Sequence, residues 1–159
     1  MKIRVGFGYD AHPMEEGKDF WLGGIKIPHT KGAVGHSDAD TLIHSICDAF
    51  LGAANFGDIG TYFPDTSDEF KGIDSKKLLK KVAGMLSKEN YEIGNVDCTV
   101  VLQAPKIAPY IPEMKKILSE TLKMPVKNIS IKATTTEHLG FVGREEGICA
   151  YSICLLMGY

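Results

Sequence analysis

No apolar run in this sequence approaches the ~20 residues that a membrane-spanning helix needs, and the first residues lack the apolar core of a secretory signal peptide. A basic excess is also missing, because 18 Lys and Arg face 20 Asp and Glu and the formal net charge is −2. Without a positive field, nucleic acid is not an expected partner. These absences predict a protein with no membrane or nucleic-acid partner, located in the cytoplasm, or in the plastid stroma as a mature organellar form.

Cysteine is scarce: the chain has four, and no two of them form a C-x-x-C pair. That spacing excludes a thiolate zinc site and a thioredoxin-like redox pair, and the apolar neighbours of each cysteine predict reduced core thiols. The 159 residues, 44% hydrophobic and 24% charged, have the composition of an ordinary globular protein. We therefore expect a single domain over residues 1–159.

Hydrophobic periodicity divides the chain into strands and helices. Alternation predicts a first strand over Lys2–Tyr9, and a later Gly-Gly pair predicts a hairpin. Helical spacing follows, with Ser37 as the cap of a helix that ends near Ala54 and Ser75 as the cap of a lysine-rich helix. A strand, a third helix and two strands complete the order β, hairpin, α, α, β, α, β, β. This order indicates an α+β fold, a mixed β-sheet with helices packed on one face.

A metal site is the sharpest functional signal. Asp10 and His12 stand two residues apart, so an extended segment places both side chains on one face, and His44 adds an imidazole from a helical pattern. Three such ligands suit zinc and leave the open fourth position of a catalytic site; a buried, hydrogen-bonded histidine is the alternative account of His44. Gly6 and Gly8 formally begin a dinucleotide fingerprint, but no helix opens after them. We expect these glycines instead to let the backbone pass close to the metal site.

Two long polar loops are predicted over residues 56–74 and 134–147, and ordered loops of this length are often functional. In the first loop, Asp58 and Asp65 can bind substrate hydroxyls, or they can simply form turns. In the second loop, three consecutive threonines suit phosphate oxygens. The Glu137 that follows them suits a hard cation such as Mg²⁺ that bridges phosphates.

Three further segments carry candidate anion or base contacts. His36 and Ser37 lie at a predicted helix N-terminus, which is a favourable place for an anion. The segment from Gln103 to Lys106 follows a strand, where backbone groups can read a base edge and the lysine can meet phosphate; a simple strand-to-helix turn is the alternative. Arg144 can bind phosphate bidentately, although a surface arginine needs no ligand.

In combination, these residues resemble the 2-C-methyl-D-erythritol 2,4-cyclodiphosphate synthases of the non-mevalonate isoprenoid pathway. The Asp-x-His and Ala-Thr-Thr-Thr-Glu signatures carry most of the specificity, and the likeness covers essentially the whole chain. The matching stretches are Gly8–His12, His36–Asp40, His44, Asp48–Ala53, Gly57–Gly60, Phe63–Thr66, Gly94–Asp97, Gln103–Lys106 and Lys132–Arg144.

The resemblance implies a cyclodiphosphate synthase, a phosphorus–oxygen lyase that acts on 4-diphosphocytidyl-2-C-methyl-D-erythritol 2-phosphate. The substrate's 2-phosphate attacks its β-phosphorus with the help of metal ions, CMP leaves, and 2-C-methyl-D-erythritol 2,4-cyclodiphosphate remains. The resemblance also implies a homotrimer with active sites at the subunit interfaces. One Zn²⁺ per subunit is expected on Asp10, His12 and His44, and a second divalent cation, Mg²⁺ or Mn²⁺, on Glu137.

The same resemblance implies roles for further residues. His36 and Thr135 are expected to stabilise the transition state. Arg144 and Glu146 are expected to line a cavity on the trimer axis that holds an isoprenoid diphosphate; an Arg–Glu ring that only links subunits is the alternative. The residues expected to contact substrate are Asp10, His12, His36, Ser37, Asp58, Ile59, Gly60, Phe63, Pro64, Asp65, Leu102, Gln103, Ala104, Pro105, Lys106, Ile107, Ala108, Thr134, Thr135, Thr136, Glu137, Phe141 and Arg144.

Two other functions stay open on the residues alone. One is a metal-dependent phosphoesterase, in which water is the nucleophile. The other is a zinc-stabilised nucleotide-binding module without catalysis. A structural zinc site of this second kind needs a fourth protein ligand, and the sequence offers no obvious one near the other three.

Overall fold

The computed structural model describes residues 1–159 as seven strands and five α-helices. The strands are β1 (Lys2–Glu16), β2 (Phe20–Leu22), β3 (Ile25–Ile27), β4 (Lys31–Ala33), β5 (Tyr91–Val101), β6 (Ile129–Thr134) and β7 (Gly147–Gly158). The helices are α1 (Thr41–Ala54), α2 (Ile59–Tyr62), α3 (Ser75–Lys88), α4 (Ile111–Leu122) and α5 (Gly140–Gly143). Short 3₁₀ turns occur at Asp68–Phe70, Ala108–Tyr110 and Val126–Asn128. Every helix is too short or too polar to cross a membrane.

The main sheet has the strand order β4-β1-β7-β5-β6, and β2 and β3 pair separately as the predicted hairpin. Neighbouring strands are antiparallel except β5 and β6, which are parallel and are connected through α4. The sheet is therefore mixed, which confirms the α+β prediction. Because β7 runs opposite to both β1 and β5, the carboxyl ends of β1, β5 and β6 lie at one edge of the sheet.

The two faces of this sheet differ in what covers them. Along β7, Ala150, Ser152 and Cys154 are buried, whereas Tyr151 and Ile153 are 39% and 49% exposed. Successive strand residues point to opposite faces, so the helices α1, α3 and α4 pack on one face, as predicted. The other face presents apolar side chains to solvent, and we call it the bare face.

Glycine lets α1 lie directly on β1. A Cβ at Gly6 would collide with the carbonyl oxygen of Ala49, and a Cβ at Gly8 would collide with that of Ser45. These glycines, expected to let the backbone pass close to the metal site, let β1 lie directly against the backbone of α1. The close approach still matters for the site, since it fixes His44 of α1 over the strand.

Helix α1 begins after Asp40, not after the predicted cap Ser37. The Asp40 carboxylate accepts hydrogen bonds from the backbone N–H of Ile43 at 3.0 Å and, across the fold, from Gly23 at 3.0 Å and Gly24 at 2.7 Å. Burial and the carboxylate two residues earlier raise the pKa of Asp40, and these three donors lower it only in part. One buried carboxylate therefore joins the hairpin turn to the start of α1.

Helix α3 begins at Ser75, and its cap is Asp74, whose carboxylate accepts from the N–H of Lys76 at 2.9 Å. Ser75 was predicted as the cap itself, and its hydroxyl instead points toward α1. Strand β1 runs on past Tyr9 to Glu16. Strand β4 and helices α2 and α5 were not predicted, because segments of three or four residues are too short to show a period.

Candidate metal and substrate site

The three predicted metal ligands meet where β1 passes under the start of α1. Asp10 and His12 project from one face of β1, and α1 places His44 beside them. Asp10 Oδ2 lies 2.8 Å from His12 Nε2 and 3.3 Å from His44 Nδ1, and the two ring nitrogens are 3.3 Å apart. One oxygen and two nitrogens thus form a small triangle of ligand atoms, and we call these residues the metal cluster.

Protein contacts hold the far side of the His12 ring. His12 Nδ1 donates to the carbonyl oxygen of Val34 at 3.0 Å, so Nε2 of the neutral ring carries a lone pair toward the cluster. Gly35 lies against the same ring, because a Cβ there would come within 2.8 Å of His12 Cε1. The segment before α1 therefore orients His12 as well as carrying candidate substrate contacts.

Two serines hold the far side of the His44 ring. His44 Nε2 lies 2.9 Å from Ser75 Oγ and 3.0 Å from Ser37 Oγ. Ser75 Oγ in turn donates to Asp38 Oδ1, and Asp38 Oδ2 accepts from the Ser75 N–H at 2.9 Å. Both imidazoles are therefore anchored on the side away from the metal cluster, which leaves His44 Nδ1 facing Asp10.

The metal cluster fits a tetrahedral zinc ion. Bonds of about 2.0–2.1 Å place the ligand atoms of a tetrahedron about 3.3–3.4 Å apart, close to the 2.8 and 3.3 Å separations of the three atoms. Asp10 Oδ2 is buried and receives no hydrogen bond, although His12 Nε2 is near, because that nitrogen turns its lone pair toward the oxygen. Burial raises the pKa of Asp10, but the neighbouring His12 and His44 together lower it by more. The Asp10 carboxylate is therefore ionised and can bind a cation.

The metal cluster forms part of the wall of a cavity of about 580 Å³. His36 borders this larger cavity, and its Nε2 donates to the carbonyl oxygen of Ser67 at 2.7 Å. Phe63 and Phe70 supply an apolar side, with their rings packed edge to face at 5.4 Å between centroids. The predicted residues that line the cavity are Asp10, His12, His36, Ser37, His44, Ile59, Gly60, Phe63, Pro64 and Asp65.

A smaller cavity of about 190 Å³ lies at the carboxyl ends of β5 and β6. The N–H of Leu102 donates to the carbonyl oxygen of Thr134 at 2.9 Å, which ties the two parallel strand ends together. Ala104 belongs to the same turn but does not line the cavity. The predicted residues that do line it are Leu102, Gln103, Pro105, Lys106, Ile107, Ala108, Thr134 and Thr135.

The two remaining predicted acidic residues line neither cavity. Asp58 is the cap of α2, where its carboxylate accepts from the N–H of Thr61 at 3.0 Å. Glu137 is exposed, and its backbone has a φ of 53°, held by a 3.1 Å bond from its N–H to Thr135 Oγ1. Both carboxylates therefore remain accessible to a ligand.

Two further pairs of predicted residues lie outside both cavities: the expected substrate contacts Thr136 and Phe141, and the pair Arg144 and Glu146, which is expected on the trimer axis. Thr136 and Phe141 border an apolar cavity of about 510 Å³. Arg144 and Glu146 are exposed neighbours, with Nε and Nη2 of the arginine 3.0 and 3.3 Å from the two carboxylate oxygens. This ion pair raises the pKa of Arg144 and lowers the pKa of Glu146.

The predicted residues thus meet at one edge of the sheet but not in one cavity. Ala11 of β1 and Val101 of β5 both pair with Cys149 of β7, so these strand ends are two strand spacings, about 10 Å, apart. The larger and the smaller cavity share no lining residue. Within one chain, the metal cluster and the cavity between β5 and β6 are separate.

Sequence reasoning missed the residues that support this site. Asp38 and Ser75 are 37 positions apart, and no local pattern connects them. The sequence does carry a signal for Asp48, which follows His44 by one helical turn. The Asp48 carboxylate accepts from the N–H of Ile59 at 3.2 Å and holds the start of α2. Burial and neighbouring carboxylates raise the pKa of Asp48, and the bond from Ile59 lowers it in part.

Comparisons with known proteins place this geometry in a family. The model of the YgbB family matches residues 3–157. The chain is 58% identical over 157 residues to the 2-C-methyl-D-erythritol 2,4-cyclodiphosphate synthase of Cytophaga hutchinsonii, covering 99% of both chains. Among solved structures, it matches the bifunctional IspDF from Campylobacter jejuni with a TM-score of 0.95 and 40% identity, over 99% of this chain and 43% of that one.

A structure of IspF from Plasmodium falciparum, in complex with CDP, matches with a TM-score of 0.86 and 38% identity, over 98% of this chain and 96% of that one. The sequence matches and the fold agree along nearly the full length of the chain. The residues that form the metal cluster lie inside the matched region. The chain therefore belongs to the YgbB family, together with the 2-C-methyl-D-erythritol 2,4-cyclodiphosphate synthases that it resembles.

Proposed function

We propose that this protein converts 4-diphosphocytidyl-2-C-methyl-D-erythritol 2-phosphate to 2-C-methyl-D-erythritol 2,4-cyclodiphosphate and CMP. An oxygen of the 2-phosphate bonds to the β-phosphorus, while the bond from that phosphorus to the CMP oxygen breaks and CMP takes the electron pair. The observation that carries the proposal is the metal cluster in the wall of the larger cavity, in a chain that matches the family along its length. Residues 1–159 act as a single catalytic domain in the cytoplasm, or in the plastid stroma for an organellar form.

Zinc on the metal cluster and Mg²⁺ or Mn²⁺ on Glu137 supply, when bound, positive charge that neutralises the diphosphate and polarises the phosphorus under attack. The chain itself needs no general base, because the nucleophile is already an ionised phosphate of the substrate. Its task is to hold the attacking oxygen and the phosphorus in line. Such positioning can supply roughly 7–11 kcal/mol of a barrier.

The larger cavity suits the half of the substrate that carries the 2-phosphate. Ser37 and His36 border it with polar groups that can donate to phosphate oxygens, and Asp58 can accept from the hydroxyls of the sugar alcohol. In our assignment His36 also stabilises the transition state. Its Nε2 is bonded to the carbonyl oxygen of Ser67, so contact with substrate through this nitrogen requires exchange of that bond.

The smaller cavity suits the cytidine nucleotide. Six of residues 102–108, all except Ala104, line it, and backbone groups of this segment can read the base edge while Lys106 can meet phosphate. Thr134 and Thr135 border the same cavity with hydroxyls for the diphosphate, and we assign Thr135 to transition-state stabilisation. The related Plasmodium falciparum protein is described in complex with CDP, which supports a cytidine nucleotide as ligand.

A homotrimer with active sites between subunits reconciles two cavities with one substrate. The bare face exposes Val5 at 67% and Phe7 at 60%, next to Tyr151 and Ile153, and exposed apolar patches of this kind mark interfaces. Packing of the bare faces against one another would bring the larger cavity of one subunit toward the smaller cavity of the next. The number three rests on the family resemblance. Sedimentation that gives a fully active monomer would refute it.

The reaction is tested in ¹⁸O-labelled water with purified enzyme, Zn²⁺ and Mg²⁺. We expect CMP and a cyclic diphosphate that are both free of label, with two coupled phosphorus signals in ³¹P NMR. Removal of the divalent cations should stop CMP release. A linear product that carries ¹⁸O would instead identify a phosphoesterase.

A zinc-stabilised binding module is the remaining alternative. No fourth His, Cys, Asp or Glu joins the metal cluster, which supports an open, catalytic position over a structural one. Recovery of intact substrate with stoichiometric zinc, under all cation conditions, would support the module.

An isoprenoid diphosphate is a second proposed ligand, held in a cavity on the trimer axis that Arg144 and Glu146 line. The arginine offers a planar fork for phosphate. Calorimetry with geranyl or farnesyl diphosphate should give weaker binding to Arg144→Ala than to wild type. Equal binding would favour an Arg–Glu ring that only links subunits.

A further inference from the structure

The direction of the Ser75 hydroxyl hydrogen determines which ring nitrogen of His44 carries a hydrogen. Ser75 is completely buried, and its Oγ donates to Asp38 Oδ1. A carboxylate can only accept hydrogen bonds, and a serine has a single hydroxyl hydrogen. That hydrogen is therefore committed to Asp38.

The committed hydrogen leaves Ser75 Oγ only lone pairs to offer His44. The contact of 2.9 Å between Ser75 Oγ and His44 Nε2 must then use a hydrogen on the ring nitrogen. A neutral imidazole carries one hydrogen, so His44 Nδ1 has the lone pair. This is the nitrogen that lies 3.3 Å from both Asp10 Oδ2 and His12 Nε2.

Ser37 touches the same ring nitrogen but is placed differently. Its Oγ lies 3.0 Å from His44 Nε2 and accepts from the N–H of Ala39 at 3.2 Å. No carboxylate holds its hydrogen, and the residue borders the larger cavity. Ser37 can thus donate its hydrogen to an anionic oxygen in the cavity. Alternatively, it can donate to His44 Nε2, and the ring hydrogen then lies on Nδ1.

Asp38 is itself held by several donors. Its Oδ1 accepts from the N–H of Asp40 at 3.1 Å, and its Oδ2 accepts from the N–H of Ser75 at the start of α3. The backbone N–H of Asp38 also donates to the carbonyl oxygen of Ile73 at 3.1 Å. The carboxylate therefore joins the segment before α1 to the first turn of α3, in one fixed orientation.

We propose that Asp38 and Ser75 are positioning residues that hold His44 in its Nε2–H form, so that the Nδ1 lone pair always faces the metal cluster. Ser75 determines the tautomer of the His44 ring, and Ser37 retains its hydroxyl hydrogen for a ligand, although both serines lie at nearly the same distance from the ring. This division of roles rests on the metal-binding part of the proposed function and not on the identity of the substrate.

The test measures the ring and the metal separately. In the metal-free full-length protein with ¹⁵N-labelled histidine, two-bond ¹H–¹⁵N NMR at a pH where the ring is neutral identifies the tautomer of His44. Competition with a chelator measures the affinity for Zn²⁺. Wild type should hold the Nε2–H form. Ser75→Ala should give a mixture with the Nδ1–H form, because Ser37 is then free to donate, and should bind zinc about 10–100-fold more weakly, as loss of such partners does elsewhere.

Three variants serve as controls. Ser75→Thr keeps the hydroxyl and should restore the wild-type tautomer and zinc affinity. Ser37→Ala should keep both while weakening substrate binding. The tautomer mixture and the zinc affinity of Asp38→Asn should lie between those of wild type and Ser75→Ala. In one of its two orientations, the asparagine amide donates to Ser75 Oγ, and the Ser75 hydrogen then points toward His44. Circular dichroism and thermal unfolding check each fold, and Asp38→Asn carries the test if Ser75→Ala does not fold.

The outcomes separate the proposal from the assigned reaction. A wild-type tautomer and wild-type zinc affinity in Ser75→Ala, or in Asp38→Asn if only that variant folds, would overturn the positioning role. Equal losses in Ser37→Ala and Ser75→Ala would overturn the division between the serines. If the tautomer and zinc affinity change as expected but no cyclic diphosphate forms even in wild type, the positioning role stands and the assigned reaction fails.

Discussion

The metal cluster and the loop that carries Glu137 are two halves of the proposed site, and they are built differently. The cluster is half-buried, and in each imidazole the nitrogen that faces away from the cluster has a protein partner supplied by a distant segment. Glu137 and His138 are exposed, both have φ near 60°, and they are held by the side chains of Thr135 and Gln103. The first half is complete within a single chain, whereas the second half displays its groups to solvent.

The largest expected effect separates the two halves by their zinc content. His44→Ala removes a metal ligand, so we expect loss of zinc and an activity loss beyond the roughly 100-fold attributed to outer partners. Thr135→Ala should also lower activity but should retain zinc, because it acts in the other half. Metal analysis and CMP release measure both properties.

The half-exposed His29, whose ring is tilted against that of Phe20 with 6.3 Å between the centroids, lies outside both halves and provides the matched control. His29→Ala should keep zinc and activity. Unchanged zinc in His44→Ala would contradict the assignment of the metal cluster.

The next effect tests whether the exposed half needs a neighbour. Ile153→Glu places a charge on the bare face, opposite Phe7 in the register of β1 and β7. Burial of an unpaired carboxylate is strongly unfavourable, so we expect sedimentation of monomers and loss of most activity, with zinc retained. Lys80→Glu, on the solvent side of α3, should change neither association nor activity. An active monomer of Ile153→Glu would show that one chain suffices.

A smaller effect concerns the support of the buried half. Asp40→Ala removes the cap of α1 and leaves the N–H groups of Ile43, Gly23 and Gly24 without an acceptor. Because buried unpaired donors are costly, we expect a loss of about 3 kcal/mol in the free energy of unfolding, measured in denaturant. Asp58→Ala removes an exposed cap and should cost no more than about 1 kcal/mol. Equal losses would contradict the contrast in burial.

The smallest effect lies on the surface beside the exposed half. Lys132 Nζ lies 2.6 Å from both carboxylate oxygens of Asp97, and this pairing lowers the pKa of Asp97. Lys132→Met should reduce the free energy of unfolding by less than about 1 kcal/mol near neutral pH. A carboxyl group whose pKa is lower in the folded than in the unfolded protein stabilises the fold at pH values above its unfolded-state pKa. The difference in stability between wild type and Lys132→Met should therefore vanish as the pH falls through the lowered pKa of Asp97. Lys127→Met, which breaks no ion pair, should show no such pH dependence.

Much of the fold and of the site was open to prediction because the signals are local. The two-residue spacing of Asp10 and His12 and the helical pattern around His44 predicted three side chains that the structure brings together. The threonine run before Glu137 likewise predicted a polar loop at a strand end. The caps were predicted wrongly, because Ser37 and Asp40 are both good cap residues and the choice depends on the hairpin turn, which donates to Asp40.

By itself, the sequence determined the order of the longer elements, the ligand types and the segments that carry them, since spacings of two and about 3.6 residues set which side chains share a face. Only the tertiary structure decided which nitrogen of each imidazole faces the metal cluster. That choice depends on Val34, Ser75 and Asp38, which come to the two rings from segments far away in the chain. It also decided that one face of the sheet stays bare. A strand alternates in the same way whether its second face meets solvent or another copy of the chain.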